Sequence, residues 1–261
     1  MLKALKSFLL DPRCNGMDLD QPSSTVTLGQ IARSKPALQR CYHSWYSSLA
    51  GCMPPEGRIL EIGSGSAVNI LRHHIPNAIT SDVRPIEGVD LVIDACNLPF
   101  AEGSLSGIVM VNVFHHLRDC RSFLREAARC VRPGGRVAII EPWCTPWSRF
   151  VYGLLHHEPF EPGRKEWVVQ GNGPVTAANG ALPWIVFHRD RHVFAREFPQ
   201  WRAEVVRLLM PLSYVLSGGL MYRSPLPDRV HRLVAASEGL MPQRLCAMFA
   251  LLVLHRTGEA G

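Results

Sequence analysis

An α/β fold organised around a largely parallel sheet is what this sequence predicts, and three observations carry that expectation. Short apolar segments recur between residues 58 and 142, each closing on small or acidic residues. One of them, Arg58-Ile59-Leu60-Glu61-Ile62, runs directly into the glycine-rich turn Gly63-Ser64-Gly65. A helical stretch from Arg121 to Arg129 then leads through Pro133-Gly134-Gly135 into another apolar strand, the order of a parallel β-α-β unit with a right-handed crossover.

The glycine-rich turn is the most informative of these. Gly63 and Gly65 allow dihedrals and close approach that a Cβ would forbid, and free N–H groups at the start of a following helix can receive polar ligand groups. A dinucleotide fingerprint wants a third glycine where Val68 stands, which disfavours a nicotinamide-dependent oxidoreductase. A second apolar segment, Ala78-Ile79-Thr80-Ser81, closes on Asp82, and a third, Val89 to Ile93, closes on Asp94-Ala95. The fourth, Gly107 to Val113, leads into Phe114-His115-His116-Leu117, and the fifth ends at Glu141-Pro142.

Taken together, Glu61-Ile62-Gly63-Ser64-Gly65, Leu98-Pro99-Phe100, His115-His116-Leu117 and Arg132-Pro133-Gly134-Gly135-Arg136 resemble the class I S-adenosylmethionine-dependent methyltransferases. The likeness is to the type 11 group of small-molecule and lipid-modifying enzymes, over about residues 58 to 142. The chain departs from that pattern at Ala67, where a third small-loop glycine is usual. The resemblance implies a Rossmann-like, mainly parallel seven-stranded sheet with an antiparallel last strand and helices on both faces. It implies S-adenosylmethionine as cofactor. Glu61, Gly63 and Gly65 match the loop that holds the methionine moiety. Asp82 matches the acid that accepts from both ribose hydroxyls, and a carboxylate can take both donors. Asp94 and Ala95 match the residues beside adenine. Ser64, Val83 and Asn112 complete the expected cofactor-binding set. Asp82 and Asp94 also sit where loop or cap aspartates occur.

Methyl transfer from a sulfonium is a direct displacement, so the protein chiefly aligns the reactants and excludes water. An acidic nucleophile needs no base, whereas a hydroxyl acceptor can give its proton to a histidine, whose ordinary pKa is about 6.5. His116 and, second, His115 are therefore the catalytic candidates. Neighbours at a strand end face opposite ways, so one of the two is expected in the cavity and the other in the packing. His156, His157 and Glu158 are candidates for the acceptor pocket. No metal is expected there, because consecutive residues rarely converge on one ion and no H-E-x-x-H spacing exists. Glu141 either faces the acceptor or is a buried structural acid.

The remaining segments frame this core. Residues 1–57 read as a helical cap, in which Leu38, Tyr42, Trp45, Tyr46 and Leu49 share a face that packs on the sheet or lines the cofactor mouth. The methyltransferase domain spans 58–261. Within it, 142–200 reads as a lid or acceptor insertion, and 212–243 as a second insertion carrying a helix between the last two strands. Leu2, Leu5, Phe8 and Leu9 share a helical face that docks on the cap or lies on a membrane surface, with Lys6 and Asp11-Pro12 arguing against export.

Composition narrows the partners. The formal charge of +6 is spread along the chain without a lysine-rich tail or an aromatic-basic ladder, so nucleic acid is not expected. The 8 cysteines show no metal spacing and read as reduced thiols, and the longest late apolar run is far short of the roughly 20 residues a membrane helix needs. The expected location is cytoplasmic, with peripheral membrane contact through residues 1–10 as the alternative. The expected activity is methyl transfer to a small or lipid-like acceptor, most plausibly at oxygen, given the aromatic insertion and the apolar stretch Leu208 to Tyr222. C- or N-methylation of a quinone, sugar or polyketide, and a non-catalytic binding module of the same fold, remain open beside it.

Overall fold

The structure is a computed structural model that describes residues 7–65, 69–156, 158–171, 173 and 175–258. The expected helical face of the N-terminus falls partly outside these residues.

Two helices open the chain, α1 (Pro22–Ser34) and α2 (Pro36–Cys52). Each has proline in its first turn, where the missing N–H has no helical partner to lose. Lys35 between them is extended, as a residue before proline prefers. Seven strands follow: β1 (Ile59–Ile62), β2 (Ile79–Asp82), β3 (Leu91–Val92), β4 (Leu105–Val111), β5 (Val131–Pro142), β6 (Trp201–Leu209) and β7 (Phe249–Arg256). They form one sheet in the order β3-β2-β1-β4-β5-β7-β6. Neighbours from β3 to β5 run parallel, while β7 is antiparallel to both β5 and β6. This is the sheet the sequence predicts, antiparallel last strand included.

The central strands β1, β4 and β7 and the second half of β5 are buried on both faces and sort their side chains with a period of two, while the edge strands β3 and β6 are largely exposed. Ile108 and Met110 of β4, with Val137 and Ile139 of β5, join one core with Phe123, Leu124 and Ala127 of α3 (Cys120–Cys130). Val109 and Val111, with Ala138 and Ile140, join the opposite core with Leu38, Trp45 and Leu49 of α2. The aromatic face of α2 therefore packs on the sheet, and Tyr42 and Tyr46 also reach the central cavity.

The expected alternation of strand and helix holds fully in one crossover. Between β4 and β5 lies α3, capped by Asp119, whose side chain accepts from the N–H groups of Arg121 and Ser122. The described part of the β1 to β2 link holds only the 3-10 turn Leu71–His73, and the links on either side of β3 are loops. The N-terminal α2 lies over that part of the sheet instead, sharing a core with Leu71 and Ala78.

Residues beyond β5 do two different jobs. The helix α4 (Pro146–Leu155) opens on a capping box between Thr145 and Ser148. Further on, Leu182, Ile185, Val186 and Phe187 are buried in the α3 core, so this later stretch is sheet covering. Between β6 and β7, Tyr214 stacks on Trp45 of α2 with ring centroids 5.2 Å apart. The helix α5 (Asp228–Ser237) joins the same layer through an Arg40 to Asp228 ion pair of 2.7 Å. Leu10 bridges to Tyr222, and the Asp11 N–H donates to the Met221 carbonyl at 2.9 Å, strapping the N-terminal segment to this layer. Among the described residues, no helix is long and apolar enough to cross a membrane.

Candidate active site

Chain order reverses between β1 and β4: from β1 the sheet grows to β2 and β3 on one side, from β4 to β5 on the other. In such sheets the crevice at the carboxyl ends of the strands opens at this switch point. A cavity of about 780 Å³ lies there.

Its floor is the sequence-predicted cofactor set. Gly63, Ser64, Gly65, Asp82, Val83, Asp94, Ala95 and Asn112 all line it. Gly63 has φ +73°, and a Cβ there would stand 2.3 Å from a Val113 methyl carbon, so only glycine fits. Gly65 also has positive φ, and its N–H donates to Asp82 Oδ2 at 3.0 Å. The other carboxylate oxygen of Asp82 accepts from the Arg84 N–H at 3.0 Å. Asp82 is thereby fixed at the end of β2 with lone pairs left over.

Glu61 sits beneath the loop and is nearly fully buried. Its Oε2 accepts from the Ser64 hydroxyl at 2.7 Å, and burial pushes its carboxyl up to about 6. The Tyr46 hydroxyl and the Ser64 hydroxyl oppose that rise, and Asn112 Oδ1 is buried without a hydrogen-bond partner among the described residues. Asp94 is exposed at the rim, one oxygen accepting from the Cys96 N–H at 2.8 Å as a loop aspartate does.

The far end of the cavity is a cluster of histidines and acids. Here β4 has ended and residues Phe114–His116 form a 3-10 turn, so the alternation of a strand no longer applies. Both His115 and His116 line the cavity, their rings 4.1 Å apart, contrary to the expectation that one would turn away. Phe114 takes the inward place, fully buried.

Each ring is held by its Nδ1. His115 Nδ1 lies 2.6 Å from Glu141 Oε2, and His116 Nδ1 lies 3.2 Å from the Ala177 carbonyl. Glu141 is wholly buried and also accepts from the N–H groups of Val113 and Phe114, both at 2.7 Å, which settles it as an anchor of the turn. The Nε2 atoms face Glu158, at 3.3 Å for His115 and 3.8 Å for His116.

Burial alone would depress His115, but the carboxylates of Glu141 and Glu158 outweigh it and raise it to about 10. Burial, reinforced by His115, pushes His116 down to about 4. Burial would raise Glu158, yet His115 above all, with His116 and His156, holds it well below the usual carboxylate range. His157 lies outside the described residues. His115, His116 and Glu158 bring three potential ligand atoms within 4.8 Å of one another. Sequence spacing does not show this cluster, because Glu158 folds back onto the pair from beyond α4.

Sequence reasoning missed the Ala177 carbonyl and the wall residues Leu19 and Leu28. Leu216, Leu220 and Met221, which also line the cavity, belong to the apolar stretch Leu208 to Tyr222 singled out in the sequence. That Leu9 joins them has no local signal, because the two segments meet only in the folded chain.

Residues 60–139 match the family model described as Methyltransferase domain. A demethylmenaquinone methyltransferase of Corynebacterium efficiens is 37% identical over 68 residues, 26% of this chain and 29% of that protein. The 27-O-demethylrifamycin SV methyltransferase of Amycolatopsis mediterranei is 30% identical over 112 residues, 35% of this chain and 41% of that protein. The chain thus spans less than half the length of these curated relatives. Two solved structures share the fold: an S-adenosylmethionine-dependent methyltransferase of Archaeoglobus fulgidus and the 4+2 cyclase SpnF. The first has TM-score 0.50 at 12% identity, over 84% of this chain and 94% of that one. SpnF has TM-score 0.53 at 12% identity, over 92% and 94%. Residues 60–139, on a sheet of this order, therefore match the methyltransferase domain model over somewhat less than a third of the chain, and the sheet around them has the fold of the two solved structures.

Proposed function

We propose that this protein binds S-adenosylmethionine and transfers its methyl group to an oxygen of a small or lipid-like acceptor. The observation that carries this reading is one continuous cavity. It joins the Gly63 to Gly65 loop and Asp82 at one end to His115, His116 and Glu158 at the other, between leucine-rich walls. The unpartnered buried acceptor Asn112 Oδ1, which lines the cavity, and a Gly63 cradle that a Cβ would fill fit the cofactor's polar groups. The named substrates of the relatives, a demethylated quinone and a rifamycin, are hydrophobic and support an apolar acceptor here.

When bound, the cofactor supplies a methyl group on a cationic sulfur. Asp82 accepts the ribose hydroxyls, and the Gly63 to Gly65 backbone holds the methionine end. The walls exclude water from the transfer path. At the far end His116, held as a neutral imidazole, would take the proton of the acceptor hydroxyl, leaving an oxygen nucleophile for the methyl group that the bound cofactor would supply. His115 and Glu141 hold that turn in place. Residues 7–57 and 212–243 form the roof, and the described residues of 142–181 the acceptor wall.

Calorimetric titration with S-adenosylmethionine, S-adenosylhomocysteine and a nicotinamide dinucleotide tests the reading. Saturable binding of the two sulfur compounds alone is expected, followed by methyl transfer in a screen of lipids and phenols. Binding of neither would leave a non-catalytic module, and binding without transfer to any acceptor would leave a fold put to another use, as SpnF's name implies for that protein. A product methylated at carbon or nitrogen would overturn the oxygen assignment.

A further inference from the structure

We infer that His115, His116 and Glu158 form a binding site for a single divalent transition-metal ion at the acceptor end of the cavity. The metal site itself stands on the residues alone. Only its role in methyl transfer rests on the proposed function.

The argument is one of orientation. Metal-bound histidines almost always give their second ring N–H to a carboxylate or carbonyl, which fixes the tautomer and aims the other nitrogen at the ion. Both histidines here are built that way. Ala177's carbonyl can only accept, so His116 carries its proton on Nδ1 and its lone pair on Nε2. His115 Nδ1 faces Glu141, itself immobilised by two backbone N–H groups. Two independent anchors, from β5 and from the loop before Leu182, thus turn two Nε2 atoms toward one carboxylate.

The spacing suits an ion between them. Ligands at about 2.0–2.2 Å from a tetrahedral ion stand roughly 3.3–3.5 Å apart. His115 Nε2 is 3.3 Å from Glu158 Oε2 and His116 Nε2 is 3.8 Å from Glu158 Oε1, and with one ligand atom of each residue within 4.8 Å of the others the three side chains draw together to close on an ion. Two imidazoles and one carboxylate suit Zn²⁺, Co²⁺, Fe²⁺ or Ni²⁺ rather than Mg²⁺ or Ca²⁺. Three protein ligands leave a position open toward the cavity. A hydroxyl bound there has a lowered pKa and sheds its proton to solvent. With the ion in place His116 is a ligand and no longer the proton acceptor.

The test is Co²⁺ titration of the chelator-treated full chain, read by visible d–d absorption and calorimetry. One saturable equivalent is expected, displaced by Zn²⁺ and not by Mg²⁺. Glu158→Gln and His116→Ala should abolish the bands, and Glu141→Gln should weaken binding by roughly tenfold to a hundredfold. His74→Ala is the control, since His43, His73 and His74 form a histidine group elsewhere, with ring centroids 5.8 Å apart for His43 and His73. That variant should bind as the parent does. Thermal melts report folding, and the near-isosteric Glu158→Gln carries the test if His116→Ala does not fold. Absence of saturable binding in the parent, or binding unchanged in a folded Glu158→Gln, overturns the inference. Metal binding in a protein that ignores S-adenosylmethionine would leave the metal site standing and overturn the proposed function instead.

Discussion

The two ends of the cavity are built on different principles. The cofactor end comes from short strands and the turns that directly follow them: Gly63 and Gly65 after β1, Asp82 closing β2, Asn112 after β4. Its geometry is backbone geometry, with positive φ at 73° for Gly63 and 55° for Asn112. The acceptor end is assembled from residues far apart in sequence, His115 and His116 with Glu158, Ala177 and the walls at Leu9 to Leu28 and Leu216 to Met221. A rigid, local cradle for one ligand thus faces a composite chamber whose shape depends on how separate segments pack. On the proposed function, the first would serve any acceptor and the second would select which one enters.

If that division holds, the largest stability effect lies where the composite roof meets the sheet. Trp45 is almost wholly buried, stacked on Tyr214 and 4.8 Å from the Phe249 ring centroid. Trp45→Ala should cost about 3–5 kcal/mol in chemical denaturation, the usual cost of emptying a large aromatic site. A loss under about 1 kcal/mol would mean the roof is not bound to the sheet through this residue.

The next effect belongs to the cofactor end. Asp82→Ala removes a fixed carboxylate and should weaken S-adenosylmethionine and S-adenosylhomocysteine by about tenfold to a hundredfold, the value of one charged hydrogen-bonding group. Acceptor KM should stay near the parent value if the two ends are independent. Unchanged cofactor affinity would remove Asp82 from the site, and a matching rise in acceptor KM would erase the contrast between the ends.

The same division explains what was legible in the sequence. Glu61, Gly63, Asp82 and Asn112 were readable because each sits at a strand end, where apolar run and turn residue adjoin. The strand pattern itself marked β4, β5 and β7, buried on both faces. What escaped depended on contacts between distant segments. Ala177 contributes a carbonyl, which every residue has. The convergence of Glu158 on the histidine pair depends on where the chain returns after α4. The opposed facing of His115 and His116 failed because a period of two was carried past the end of β4 into a 3-10 turn.

The smallest effect tests whether the roof is fastened separately from the floor. Asp11 lies where the N-terminal strap meets Met221, and its carboxylate accepts from the Arg13 guanidinium at 2.8 and 2.9 Å. That hydrogen bond, opposed by burial, lowers Asp11 from 3.8 to about 2. A carboxyl depressed in the folded state adds stability that is complete above its unfolded pKa and vanishes as pH falls through the folded one. Arg13 is 43% exposed, so solvent screening trims the gain to about 1 kcal/mol. Asp11→Asn should therefore lower stability by about that amount at pH 7, with the difference from the parent closing between about pH 4 and 2. Cofactor affinity at neutral pH should not move, because neither Asp11 nor Arg13 lines the cavity. A stability difference that persists unchanged to pH 2 would assign the effect to lost packing and detach the strap's role from the Arg13 contact.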